Sequence, residues 1–172
     1  MFRESKGNET PADPSPGLMT TSANSVSSRV ARAIPTVAAA NPGYWAFTQE
    51  MLKTRGDAFD GKRVTVSGSG NVAIYAIEKV QQLGGKVVAC SDSSGYVVDE
   101  AGIDVRLLKQ VKEVERGRIA DYASRRDSAE LGRTGSIWDV AVDVALPCAT
   151  QNELNGEHAA TLIRNGVKTV AL

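Results

Sequence analysis

The feature that most restricts what this chain can fold into is a six-residue stretch, Gly68-Ser69-Gly70-Asn71-Val72-Ala73, set between a β-branched run and an amphipathic one. A G-x-G-x-x-A pattern means little alone, but after a strand and before a helix each small residue has a physical job. Gly68 permits a sharp turn, Gly70 has no side chain to hold a ligand off the backbone, and Ala73 lets helix and strand approach closely. The free N–H groups that open the following helix, aided by its dipole, suit a diphosphate. The plainer alternative is that both glycines serve only the turn, and the full fingerprint argues for the phosphate site.

The flanks supply the context. Arg63 to Ser67 (RVTVS) reads as a short buried strand that ends at Gly68. From Asn71 to Leu83, Val72, Ala73, Ala76, Ile77, Val80 and Leu83 recur on one side at helical spacing, and Gly84-Gly85 stops the helix. Lys86 to Cys90 (KVVAC) is a second apolar strand. A strand, helix, strand unit of this length implies parallel pairing, a right-handed crossover and helices on both faces of the sheet.

Further along, Gly95 and Gly102 bracket an extended excursion, GYVVDEAG. Helices are expected over Asp104–Glu115, Ile119–Arg126 and Gly156–Asn165, strands over Val142–Leu146 and Lys168–Leu172, and a loop over Asp127–Gly135. Ahead of the first strand, Tyr44, Phe47, Met51 and Leu52 fall at helical spacing, with Gly56 as a stop signal. The fold class is therefore α/β: a doubly wound, mainly parallel Rossmann-type sheet over residues 43–172, incomplete at its C-terminal end. Residues 1–42 hold five prolines among Ser, Thr, Asn and Ala, and few bulky apolar residues. They are predicted to form a disordered tail with at most a short helix over Val26–Ile34.

Asp92 stands 24 positions after Gly68, near the offset of about 20 at which dinucleotide-binding folds place the acid that reads the adenosine ribose. An acid alone selects NAD, whereas Ser91-Asp92-Ser93-Ser94 adds hydroxyl donors and leaves room for a 2′-phosphate. Lys112, Arg116 and Arg118 could supply compensating positive charge, although basic residues on a charged helix often form only a solvated face. The balance of these features favours NADP over NAD. Near the other end, Pro147 to Asn152 follows a strand's C-terminal end, where ligands of open α/β sheets lie. Thr150, Gln151 and Asn152 could instead cap the next helix. Glu153 reads as a capping acid rather than a catalyst, and His158 as a helix-surface residue.

Charge and composition exclude several classes. Lys plus Arg and Asp plus Glu each number 20, so no long-range field favours nucleic acid or an acidic membrane surface. No apolar run approaches the roughly 18 residues of a membrane span, and residues 1–17 lack a secretory core, so a cytoplasmic protein is expected. Residues 18–41 have the Ser, Thr, Ala and Arg content of an organelle-transit segment but start too late in the chain. Cys90 and Cys148, the only cysteines, suit small buried thiols and not a metal site.

The runs GKRVTVSGSGNVAIYAIEKVQQLGGKVVACSDSSGYVVDEAGI, GRIADYA and VDVALPCATQNELNGEHAATLIRNGVK together resemble the cofactor domain of bacterial and fungal-type NADP-dependent glutamate dehydrogenases. SGSGNVA, SDSSG and LPCATQNEL carry far more specificity in combination than a lone glycine motif. The resemblance, spanning about Phe47 to Ala171, implies reversible reductive amination of 2-oxoglutarate to L-glutamate and a homohexamer. It further implies that Ser67, Gly68, Gly70, Asn71 and Val72 hold the diphosphate, Asp92 and Ser93 the adenosine ribose and its phosphate, and Ala149, Thr150 and Asn152 the nicotinamide riboside.

The chain departs from that family in ways that set further expectations. No segment matches the domain that binds the dicarboxylate and supplies a catalytic lysine and aspartate, so no catalytic residue is assigned. The family's Thr-Gly-Tyr-Gly lead-in appears only as Asn41-Pro42-Gly43-Tyr44-Trp45. These departures suggest a truncated relative that recognises cofactor without useful catalysis, as a monomer or in association with full-length subunits. The alternatives are a stand-alone dinucleotide-binding or regulatory module, and a non-functional remnant.

Overall fold

In the computed structural model, residues 42–171 are described, and the predicted tail with its short helix lies outside them. Helix α1 (Pro42–Lys53) leads into strand β1 (Arg63–Val66) and helix α2 (Asn71–Gln82). Strands β2 (Lys86–Asp92) and β3 (Gly95–Asp99) form a hairpin, followed by helices α3 (Val105–Lys109) and α4 (Ile119–Ala123). Strand β4 (Ala129–Gly132), strand β5 (Val144–Leu146), helix α5 (Gly156–Arg164) and strand β6 (Thr169–Val170) complete the order.

The six strands form one sheet in the order β4-β3-β2-β1-β5-β6. β2, β1, β5 and β6 run parallel, while β3 and β4 join antiparallel at the β2 edge. The mainly parallel α/β expectation holds, with an antiparallel edge added. The sheet separates two cores. Ala73, Ile74, Ala76, Ile77 and Val80 of α2 pack on Val64, Val66, Val87 and Cys90, joined by Leu52, Leu108, Ile119 and Tyr122. On the opposite face, Ala89 and Ala145 meet Ile137, Trp138 and Leu162, so α5 and a single 3-10 turn cover that side. Among the described residues no helix is long and apolar enough to cross a membrane.

Three local expectations change. The stretch Asp127–Gly135, expected as loop, contains β4, paired with β3 from Tyr96↔Gly132 to Asp99↔Ala129. Its sequence, Ala-Glu-Leu-Gly, has no β-branched residue, so tertiary pairing overrides weak local preference. Gly132 is required here because a Cβ would collide with the ring of Tyr96, its cross-strand partner. The expected regular helix over Asp104–Glu115 is α-helical only to Lys109 and then widens into a π turn, Gln110–Val114. Val72, expected on the buried side of α2, is 43% exposed and sits at the helix mouth; Ile74 takes the core position.

A buried acid ties the antiparallel edge to the helices. Asp99 accepts bonds from Ala101 N at 3.0 Å, Tyr122 Oη at 3.1 Å and the Arg126 guanidinium. Tyr122 Oη in turn accepts from Asp104 N at 2.9 Å, at the start of α3. Burial pushes the Asp99 carboxyl up, but its hydrogen bonds to Arg126, Ser128 and Tyr122 outweigh that and hold it below its ordinary value.

Substituting Gly132→Val tests the status of β4. The added branched side chain must displace Tyr96, and overpacking of this kind costs about 1–3 kcal/mol. A lower urea midpoint is expected; an unchanged midpoint would show that β4 is not held against β3 in solution.

Candidate functional site

The parallel strands β1, β2 and β5 end side by side, and the residues singled out from sequence collect around their C-terminal ends. β1 stops at Val66, and Ser67 and Gly68 turn the chain into α2. Gly68 has φ +86, a left-handed conformation that side-chain-bearing residues avoid. An added Cβ there would lie 3.1 Å from Ala149 Cα, so the turn and the loop after β5 are in near contact. Gly70 differs: a Cβ at this position would meet nothing within 4 Å and would project into open space. It occupies the N-cap of α2, with no side-chain cap, and the first helical bond runs from Ile74 N to Gly70 O at 2.9 Å. The amides of Asn71, Val72 and Ala73 precede that bond and form the donor-rich end of the helix. Asn71 and Val72 are exposed there. A groove of about 450 Å³ runs from Ser69, Gly70 and Asn71, past Ile74 and Tyr75, to Lys112 and Glu113.

Two serines brace the mouth. Ser67, 2% exposed, accepts hydrogen bonds on Oγ from Cys148 N at 2.8 Å and Ala149 N at 3.3 Å, which fastens the loop after β5 to the end of β1. Ser91, near the end of β2, accepts a bond from Gly68 N at 3.0 Å. Ser91 had no separate role in the sequence reading. Alternation along β2 could have singled it out, because it points to the face opposite Asp92.

At the β2 end, Asp92 is the last residue of the strand and accepts four hydrogen bonds. Its Oδ1 takes Ser94 N at 2.8 Å and Ser94 Oγ at 2.5 Å; its Oδ2 takes Lys112 Nζ at 2.9 Å and Ile119 N at 2.9 Å. Burial raises the carboxyl, yet Ser94, Lys112 and Ile119 together bring it down to about 2. The side chains of Asp92 and Lys112 are only 8% and 16% exposed, so this ion pair is shielded from salt. Lys112 also donates to Gly117 O at 3.0 Å. Its reach depends on the π turn, which closes with Glu115 N bonding Gln110 O at 3.0 Å. Beside it, Arg118 donates to Ser93 Oγ at 2.6 Å. Arg116, with φ +54, is exposed and completes a cluster of three cations at this corner.

At the β5 end, Ala149, Thr150, Gln151 and Asn152 are exposed, and Asn152 has φ +59. None of Thr150, Gln151 and Asn152 caps α5. That role belongs to Asn155, whose Oδ1 accepts from His158 N at 2.8 Å. Glu153 accepts from Ala149 N at 3.1 Å and so shapes the loop from within. His158 is half-buried rather than on the open surface, with Nδ1 3.3 Å from Glu153 O. Burial pushes the Cys148 thiol up to about 12, and burial likewise raises that of Cys90, so neither supplies a thiolate nucleophile. Among the described residues no group of three or more His, Cys, Asp and Glu could hold a metal.

Comparison with known proteins gives one consistent answer. Residues 36–171 match the family model described as Glutamate/Leucine/Phenylalanine/Valine dehydrogenase. The chain is similar to the NADP-specific glutamate dehydrogenase of Haemophilus influenzae, 54% identical over 128 residues that form 73% of this chain and 28% of that protein. It is also similar to the NAD(P)-specific glutamate dehydrogenase of Xylanibacter ruminicola, 50% identical over 73% of this chain and 29% of that one. Among solved structures, Plasmodium falciparum glutamate dehydrogenase matches with a TM-score of 0.70 at 36% identity, covering 75% of this chain and 28% of its own. The chain thus spans less than a third of the length of these relatives.

The Asp92 network has a pH signature. Its carboxyl lies lower when folded than in an unfolded chain, where the ordinary value is about 3.9. Its contribution is therefore fully present above about pH 4 and is lost as pH falls towards about 2. Urea melts of wild type and Asp92→Asn should differ most near pH 7 and converge below about pH 4. A difference independent of pH between 7 and 3 would contradict this.

Proposed function

Because this chain belongs to the Glutamate/Leucine/Phenylalanine/Valine dehydrogenase family, we propose that it is the dinucleotide-binding part of an NADP-dependent glutamate dehydrogenase. The observation that carries the reading is the bare, outward-facing Cα of Gly70 at an uncapped helix N-terminus, a cradle that any Cβ would begin to fill. The amides of Asn71 and Val72, with Ser67, Gly68 and Gly70 forming the turn, hold the diphosphate.

The preference for NADP rests on the β2 corner. Ser93 and Arg118 grip the 2′-phosphate, and Lys112 adds a second positive charge. Asp92 has its acceptor positions filled from within, so it serves this end chiefly by aiming Lys112 and the Ile119 amide. Ala149, Thr150 and Asn152, on the loop that Ser67 fastens, face the nicotinamide riboside.

The reaction is the reversible reductive amination of 2-oxoglutarate with ammonium to L-glutamate, for which the bound dinucleotide supplies the hydride. This chain's residues orient the cofactor and exclude water around it. Hydride transfer also needs the acceptor carbon held at about 3–3.5 Å, a task we assign to a dicarboxylate-binding domain beyond residues 42–171. The working enzyme is a cytoplasmic homohexamer, and these 172 residues alone bind cofactor without effective turnover.

Calorimetric titration of the 172-residue chain is expected to give tighter binding of NADPH than of NADH. Arg118→Ala should reduce that preference by about tenfold or more, the worth of a hydrogen bond to a charged group. Equal affinity for the two cofactors would refute the NADP assignment. NADPH oxidation with 2-oxoglutarate and ammonium should stay well under about 1 per second. Turnover above that would refute the division of labour between domains.

A further inference from the structure

We infer that Ser91 is a positioning residue for the diphosphate turn, and is functionally separate from the Asp92-Ser93-Ser94 run that follows it. The inference rests on the cofactor reading above. Side chains along a strand alternate between faces. Ala89 lies in the core beneath α5 and Cys90 in the core beneath α2, so Ser91 shares the face of Ala89 while Asp92 shares that of Cys90. The contacts agree. Asp92 meets Lys112 and Ile119 on the α2 side, whereas Ser91 meets the end of β1, accepting a bond from Gly68 N at 3.0 Å.

That amide matters because of where it sits. Gly68 is buried, and its φ of +86 together with the nearness of Ala149 excludes any side chain that could brace the turn. Glycine also gives the backbone more freedom to rock than any other residue. Orientation must therefore come from neighbours. Ser67 fastens the loop after β5 on one side, and Ser91 holds the Gly68 amide from β2 on the other. The peptide before Gly68 sets the path of the chain into Gly70 and the first turn of α2. A donor array pre-set in this way binds without first having to be ordered. Ser91 acts through Gly68, and its bond removes one turn amide from the set available to a phosphate.

The test uses the 172-residue chain, with Ser91→Ala and Ser91→Cys compared with wild type. Cysteine is close to serine in size but a weak acceptor, so it separates the hydrogen bond from packing. Each protein is titrated calorimetrically with NADPH, NADH and adenosine 2′-monophosphate, and a thermal melt establishes that it is folded. Both variants should weaken NADPH and NADH by a common factor of about three- to tenfold, the worth of one neutral hydrogen bond. The NADPH to NADH ratio and the affinity for adenosine 2′-monophosphate, which carries no diphosphate, should not change. If Ser91→Ala melts as an unfolded chain, the Ser91→Cys result decides. Unaltered dinucleotide affinity in a folded variant overturns the inference, as does a changed NADPH to NADH ratio or a parallel loss of adenosine 2′-monophosphate. Failure of wild type to bind either dinucleotide would instead overturn the cofactor reading on which the inference stands.

Discussion

Room is scarcest where β1 becomes α2, and that shortage governs the rest of the site. Gly68 must reverse the chain within van der Waals reach of Ala149, which only a residue without a side chain can do. The close approach lets one hydroxyl, that of Ser67, collect two amides from the neighbouring loop. The ends of β1 and β5 consequently behave as one piece, with the end of β2 joined to them through Ser91. A wider turn would separate the phosphate-facing amides from the loop proposed to meet the nicotinamide, and a dinucleotide needs both at once.

The β2 corner follows a different logic, one of charge rather than space. Removing a carboxylate and an ammonium from water is costly unless both are fully paired. Asp92 meets that condition with four donors, and Lys112 with a carboxylate and a carbonyl. The pair fixes the relative placement of the β2–β3 hairpin, the π turn and the start of α4, three elements distant in sequence. Arg118 and Ser93 stand at the exposed rim of that fixed frame, where a ligand can reach them.

Much of this was legible beforehand because local signals and tertiary demands agree. The β-branched RVTVS run, the glycine turn and the 3.6-residue repeat of α2 each call for what forms, and Lys86 to Cys90 is too apolar to lie anywhere but in the sheet. β4 was not legible, since Ala-Glu-Leu-Gly prefers no extended state and becomes a strand only through β3. The π turn was hidden because its residues have an ordinary helical pattern; the extra residue per turn is decided by the reach of Lys112 to Asp92 and of Val111 to the core. Around the candidate site, residue types were readable, but partners were not. The Ser91 to Ser94 run looks like one polar patch until strand alternation sends Ser91 to the opposite side of the sheet from Asp92.

The widened turn also makes spacing in this segment discrete. An α-helix advances by about 100° per residue, so removing one residue between Gln110 and Val114 would restore regular winding yet rotate all that follows by that amount. The ammonium now paired with Asp92 would face another direction, and the rim arginines would be carried away with it. Side chains here can be exchanged singly, but length cannot, because the segment works as a gear tooth whose pitch is matched to the carboxylate opposite it.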